Sequence, residues 1–352
     1  MIDRPPPPSS LLEIAERVER RIDALLVEEA ARWSVVDPAL GDPIACLRDL
    51  LLSGGKRLRP AFCHWAYVGA GGADSALITD VGAALELLHG FALIHDDVMD
   101  GSDRRRGQPT AHTSFDDRHR AEAWRGESRR FGEGVAILVG DLAFVYADML
   151  LAPLAPESRR VWDELRIELN IGQYLDLLGT ARGDADVATA RRIATYKSGK
   201  YTVERPLHLG AAMAGRLDDL AGPLTAYGLP LGEAFQLRDD LLGAFGDSEA
   251  IGKPVGDDLR EGKPTPLLAI ARERATGAGA AVLQRVGDPT LGAEGVAAVQ
   301  EVLVATGAVE EVEHRIATLT DEAVAVAKEL AVEEEAQVEL VDLATYVAWR
   351  DR

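Results

Sequence analysis

Two cysteines in 352 residues, Cys46 and Cys63, share no metal-type spacing and are too few for a disulfide framework. Their scarcity fits a reducing compartment and excludes a thiol-based mechanism. Aromatic residues make up only 5% of the chain while alanine is abundant, so strand propensity is low and helix propensity high in most windows. Positive charge is also short, with 38 basic against 58 acidic residues and a formal net charge of −20. That balance excludes a general surface for nucleic acid or anionic membrane. No uninterrupted apolar run approaches the ~20 residues of a membrane helix, and the opening MIDRPPPPSS lacks the order of a signal peptide. A cytoplasmic protein with no stable membrane insertion is expected. Long Gly/Ser linkers and fixed-period repeats are missing too. The expectation is therefore a disordered proline-rich tail over 1–10 and one helical domain over 11–352.

What is present is helical periodicity. From Leu11 onward, Leu11, Leu12, Ala15, Val18, Ile22, Leu25 and Leu26 recur at the spacing of one buried helix face. The same period predicts helices over 78–100, 134–151, 158–178, 187–198, 224–245 and 309–330. The fold class is all-α. The segment 115–133, FDDRHRAEAWRGESRRFGE, is polar and reads as an exposed connection or a short solvated helix.

Against that background IHDDVMDGSDRRRG stands out, because four aspartates meet three arginines directly after the apolar FAL. On a helix Asp96 and Asp100 share a face, with Asp97 about 100° away. Their repulsion is ~0.2–0.5 kcal/mol per pair when exposed. Partial burial beside Phe91, Ala92, Leu93 and Ile94 raises it, so a cation is required between them. Mg²⁺ suits oxygen ligands and is typically held by one or two carboxylates plus phosphates. Arg104, Arg105 and Arg106 then gain a reason, since guanidinium groups bind phosphate oxygens in pairs. An isolated DDxxD is more often an exposed helix end. A second pair, Asp239 and Asp240 in FQLRDDLLG, shifts the balance, because two helices aiming carboxylates inward is how bundles build metal sites.

Two loops add lysines, Lys253 in GKP and Lys263 in a second GKP. GGKRLRP sets Lys56, Arg57 and Arg59 on a Gly-rich bend that can approach an anion but is not a P-loop. His89 lies two turns before Asp96, about 20° off the same face.

Taken in order, GGKRLRP, ELLHGFALIHDDVMDGSDRRRGQPT, GD at 140–141, GQYLDL, YKSGKYT, FQLRDD and the lysine loops resemble the trans-isoprenyl diphosphate synthases, most closely geranylgeranyl diphosphate synthases of the actinobacterial type. The resemblance runs from about Leu11 to the C-terminus. It implies an all-α homodimer with a central active-site cavity, binding an allylic diphosphate and isopentenyl diphosphate. By the same resemblance Asp96, Asp100 and Asp239 carry three Mg²⁺ ions, with Asp97 and Asp240 supporting. Arg105, Lys197, Gln236, Lys253 and Lys263 hold the allylic diphosphate; Lys56, Arg59, His89 and Arg106 hold isopentenyl diphosphate. One departure is visible: the third position of the second motif is Gly243, giving DDLLG. Asp247 lies two turns beyond Asp240, and activity is expected to survive.

Product length follows from the residues one turn before the first motif. Small Ala92 opens depth and Phe91 supplies an aromatic floor, which in the family looks like a C20 product; farnesyl and longer-chain synthases are the alternatives. A terpene cyclase would need no second diphosphate site, and so neither GGKRLRP nor RRG. A non-catalytic partner subunit is favoured only by Gly243.

Overall fold

The computed structural model describes residues 6–183, 185–246, 256–288 and 290–349. Apart from one two-stranded ribbon, its regular elements are helices, as composition predicts. Residue contacts divide it into two compact units. The N-terminal unit comprises Ser9–His64 and Ala73–Ala155; the other joins Trp65–Gly72 to the residues from Pro156 onward.

In the N-terminal unit α1 (Ser9–Ser34) buries Leu11, Val18, Ile22, Leu25 and Leu26 of the periodic positions together with Ile14, while Leu12 of that series is exposed and Ala15 half-buried. Two residues earlier than expected, it starts at Ser9. α2 (Gly41–Leu52) and α3, whose first turns open at Leu58, bracket the Gly-rich bend. α4 (Ala76–Asp100) is the central element, packed against α1, α2 and α6 and buried on nearly all sides from Val81 to Leu88. α4 is long and, on average, apolar enough to cross a membrane, but 61% of that stretch is buried inside the protein. The sequence hid it because Glu86 and His89 interrupt the run.

After α4 come the ribbon β1 (Arg104–Arg105) and β2 (Gln108–Pro109), then α5 (Ala111–Ala121) and α6 (Ser128–Leu150). The polar 115–133 segment is more ordered than expected. Phe115 and His119 are buried, and His119 packs against the rings of Trp124 and Phe131, with centroids 6.0 and 5.2 Å away.

The C-terminal unit holds α7 (Pro156–Arg182), α8 (Val187–Ala194), a π-helical stretch π1 (Thr195–Glu204), α9 (Arg205–Met213) and α10 (Leu217–Phe245). Short α11 (Asp257–Glu261), α12 (Pro266–Arg274) and α13 (Gly277–Leu283) precede α14 (Ala293–Ala305), α15 (Ala308–Glu329) and α16 (Glu334–Trp349). Its core runs from Leu237 and Leu241 through Leu267, Val299 and Leu303 to Ile316 and Leu319. π1 and α10 meet backbone to backbone: a Cβ on Gly232 would lie 2.6 Å from the Cα of Gly199. Only paired glycines permit that approach.

Candidate active site

In the N-terminal unit the site begins where α4 ends. Gly101 adopts φ 67° and terminates the helix immediately after Asp100. Asp97 is buried, whereas Asp96 and Asp100 are half-buried. The chain then turns through Arg106 (φ 51°) and Gly107 (φ 75°), the left-handed pair of a two-residue hairpin. Arg105 returns to Asp97, donating from Nε to both carboxylate oxygens at 2.9 Å and from Nη2 at 2.7 Å. Asp96 lies 3.8 Å from the same guanidinium. Burial works against the Arg105 charge, but Asp97, Asp96 and Asp100 outweigh it and raise its pKa. Asp97 is thus engaged with Arg105, and the other two carboxylates occupy the remaining face.

Arg106 reaches the Gly-rich bend instead. It donates to the carbonyls of Leu50 (3.2 Å) and Gly54. The bend needs its glycines: Gly54 and Gly55 have φ of 109° and 149°, and a Cβ on Gly55 would press on the guanidinium groups of Arg57 and Arg106 at 3.0 and 3.2 Å. Burial, then the neighbouring Arg57, pulls Arg106 down to about 10. His89 is held well below its ordinary value by burial first and then by Arg59, Arg106, Arg105 and Arg57. The same excess of positive charge that disfavours a second proton on His89 favours an anion nearby. Arg59 is buried and Lys56 half-buried on the same bend.

Arg57 differs from its sequence reading as a substrate group. Its side chain is 1% exposed, donates to Glu86 at 2.6 Å and Glu19 at 3.1 Å, and also bonds the carbonyl of Leu51. That pairing ties the bend to α4 and α1. The reason lies in burial, since an enclosed guanidinium must have its carboxylates.

One turn before Asp96, the Phe91 ring packs on His95 (4.6 Å between centroids) and edge-on to Phe144 of α6 (5.0 Å). Ala92 beside it is half-buried. His95 Nε2 donates to the Ile137 carbonyl at 3.0 Å. A Cβ at Gly140 would collide with that imidazole, and Asp141 lies 3.8 Å from it. The GD motif thus seats His95, a residue that sequence reasoning passed over.

In the C-terminal unit α10 carries the second acidic pair. Asp240 is 4% exposed; Oδ1 accepts from Gln236 Nε2 at 2.8 Å, while buried Oδ2 has no hydrogen-bond partner among the described residues. Burial raises its pKa well above the carboxylate range, and the charges of Asp258, Asp239 and Asp176 add to the rise. Arg238 points elsewhere. It pairs with Glu313 at 2.6 and 2.8 Å, bonds the carbonyl of Ala348 and lies under Trp349.

Lys197 sits in π1 and donates to Asp176 at 2.5 Å. A Cβ at Gly172 would strike the backbone of Lys197, so Gly172 and Asp176 of GQYLDL, one turn apart, seat and hold this lysine. An extra residue in a helical turn is a common device at functional sites, and here it carries the lysine. Lys263 lies 2.9 Å from Glu261 and 3.8 Å from Asp258. Lys253 and Asp247 lie outside the described residues. Sequence reasoning missed Asp176 and Asp258; the only signal for Asp176 was its place in a quoted motif.

The donor set in both units is carboxylate oxygen, suited to a hard cation. Among the described residues no three acidic, histidine or cysteine side chains form a preassembled cage. Such a set fits an ion that takes one or two protein carboxylates and completes its shell with water and phosphate oxygens.

The polyprenyl synthetase family model matches residues 44–303, a span that includes every candidate residue from Lys56 to Lys263. The chain belongs to the polyprenyl synthetase family. Among polyprenyl synthetases it is 37% identical over 232 residues to a geranylgeranyl diphosphate synthase of Mycobacterium tuberculosis, covering 64% of this chain and 61% of that one. It is 31% identical over 306 residues to an octaprenyl diphosphate synthase of Escherichia coli, covering 86% and 88%. A solved geranylgeranyl pyrophosphate synthase from Corynebacterium glutamicum, complexed with isoprenyl diphosphate and magnesium, superposes with a TM-score of 0.91 at 37% identity, over 96% of this chain and 98% of that one. The named products of these polyprenyl synthetases differ in length.

Proposed function

We propose that the chain is a trans-prenyltransferase that joins isopentenyl diphosphate to an allylic diphosphate and makes geranylgeranyl diphosphate, C20. The observation that carries the reading is the division of the ribbon's cations, with Arg105 turned to Asp97 and its neighbour Arg106 turned to the Gly-rich bend. Such a division serves a second, non-ionising diphosphate, which a cyclase does not need.

In this reading Lys56, Arg59, His89 and Arg106 hold isopentenyl diphosphate. Arg57 positions the bend. Arg105, Lys197, Gln236 and Lys263 bind the allylic diphosphate, with Lys253 assigned by sequence. Asp96, Asp100 and Asp239 would hold three Mg²⁺ ions, with Asp97 and Asp240 supporting. Bound Mg²⁺ supplies charge that stabilises the departing diphosphate. The allylic carbon–oxygen bond breaks, and its electron pair leaves with the diphosphate. Arg105 and the lysines stabilise the oxygens as negative charge grows on them. The double bond of isopentenyl diphosphate attacks the allylic carbon, and one proton is lost to give the longer trans product. The released diphosphate is the candidate base.

Phe91, fixed between His95 and Phe144, supports a rigid floor beside Ala92. The homodimer reading is supported by Leu138, Val145 and Met149 of α6, 61%, 52% and 48% exposed at helical spacing. Purified protein, Mg²⁺, isopentenyl diphosphate and dimethylallyl, geranyl or farnesyl diphosphate are expected to give C20 from each primer. Absence of extension from every primer would remove the reading. Ala92→Phe is expected to shorten the product, and an unchanged C20 product would overturn the assignment of depth. Light scattering of the purified protein tests the dimer.

A further inference from the structure

YKSGKYT places two lysines in π1, three residues apart, and their surroundings differ. Lys197 meets Asp176. Lys200 is enclosed: its side chain is 13% exposed, and its ammonium group lies 2.8 Å from Glu168 of α7 and 2.8 Å from Glu204. Glu168 also accepts a paired contact from Arg205, from Nε at 2.5 Å and from Nη2 at 2.8 Å. Thr225 of α10 donates to the other oxygen of Glu204 at 2.8 Å. His208 of α9 accepts from Arg205 at Nδ1 (3.2 Å), so its Nε2 donates to the Ala221 carbonyl at 3.1 Å. Two cations and two carboxylates thus neutralise one another. Burial opposes the Lys200 charge, but the bonds to Glu168 and Glu204 outweigh it and raise its pKa. Lys200 is therefore committed to protein partners.

A buried ion set adds little net stability, and its best-attested use is to fix one register. The backbone shows which register is at stake. π1 runs between α7 and α10 with almost no clearance. A Cβ at Gly172 would strike the backbone of Lys197, one at Gly228 would stand 2.9 Å from the Cα of Glu204, and Gly199 meets Gly232. Arg205 closes the stretch by donating its amide to the Lys200 carbonyl, five residues back. Along α7, Glu168, Gly172 and Asp176 follow at four-residue spacing on one side, and they meet Lys200, the Lys197 backbone and the Lys197 ammonium group in turn. Rewinding π1 to α spacing changes the angle between residues 197 and 200, so one lysine would lose its carboxylate on α7. Winding and ion pairs specify each other.

We infer that Lys200, held by Glu168 and Glu204, is a positioning residue for the reaction: it locks the π winding that presents Lys197 to the allylic diphosphate, and it is not itself a diphosphate ligand. The inference rests on the prenyltransferase reading and deepens it, by separating the two lysines of one motif into a ligand and a lock.

The test is a double-substitution cycle on the full chain, reading KM for the allylic primer at saturating isopentenyl diphosphate. Lys200→Met keeps the apolar stem and removes the charge. It is expected to raise the primer KM about fivefold, the scale of one displaced hydrogen bond, with little change in KM for isopentenyl diphosphate. Lys200→Arg, which keeps the charge, is expected to restore the primer KM. In a Lys197→Ala background, Lys200→Met is expected to raise the primer KM no further, because the group it positions is gone. A lower melting temperature with the wild-type primer KM would make Lys200 a structural residue only and overturn the inference. Equal rises in both backgrounds would also overturn it, since Lys200 would then act independently of Lys197. Glu168→Gln keeps the shape of the acid and carries the same expectations and the same reversals, which covers a Lys200→Met chain that does not fold. If the wild type extends primers and both variants match its primer KM, only this inference fails. If the wild type extends none, the prenyltransferase reading fails and the inference falls with it.

Discussion

The two units solve opposite electrostatic problems. The N-terminal unit gathers Arg57, Arg59, Arg105 and Arg106 around a neutral imidazole, and restrains that charge with Glu86, Glu19 and Asp97. The C-terminal unit gathers Asp176, Asp239, Asp240 and Asp258, and restrains them with Lys197 and Lys263. One therefore favours an anion and the other a cation.

The sharpest test of that contrast removes one proposed metal carboxylate from each unit. Asp96→Ala and Asp239→Ala are each expected to lower the rate of primer extension at saturating substrate by about 10³ or more, the scale for losing a transition-state charge partner. A large loss in one unit only would break the comparison. Next in size, Arg106→Ala is expected to raise KM for isopentenyl diphosphate roughly 30-fold and to change the primer KM little. Lys197→Ala is expected to do the reverse, each losing a charge-assisted bond of ~2 kcal/mol. Steady-state kinetics with each substrate varied in turn checks the split, and equal effects on both would refute the assignment.

A smaller effect concerns stability. Because Asp240 has a raised pKa, its ionised form costs the folded protein free energy at pH above that value, and the cost fades as pH falls toward the ordinary carboxylate range. Asp240→Asn is therefore expected to raise the melting temperature in EDTA at pH 8 by about 2 °C, and by less at pH 5. A gain that grew at pH 5 would reverse the sign and refute the argument. Smallest is Asp176→Asn, expected to raise the primer KM about threefold while Asp176→Glu restores it, as for a hydrogen bond of ~0.5–1 kcal/mol to Lys197. Equal loss in both variants would make Asp176 a packing residue only.

Much of this was legible because helices announce themselves in apolar spacing. α4 and α15 fall within two residues of their predicted bounds, α1 begins two residues early, α10 ends as predicted but begins seven residues earlier at Leu217, and DDxxD ends α4 where the sequence puts it. What escaped depends on residues distant in the chain. Arg57 meets Glu86, 29 residues on, and no local pattern records such a pairing. Asp258 reached the acidic group through two glycine turns, which a search for helical spacing does not examine. The π-helical stretch also escaped, because one additional residue per turn leaves the composition of YKSGKYT unchanged. In the 115–133 segment, Phe115, His119, Trp124 and Phe131 are too sparse to show a period yet form a buried or clustered aromatic group once the chain turns at Ala123 (φ 50°).

The four-residue ribbon after α4 has one more consequence. Arg105 turns to Asp97 while Arg106, its direct neighbour, turns to the Gly-rich bend. On the proposed assignment the receptors for the two diphosphates are consecutive peptide units, ~3.8 Å apart from Cα to Cα. The backbone of the ribbon therefore carries both receptors together, and a change that displaces it disturbs the two diphosphates at once.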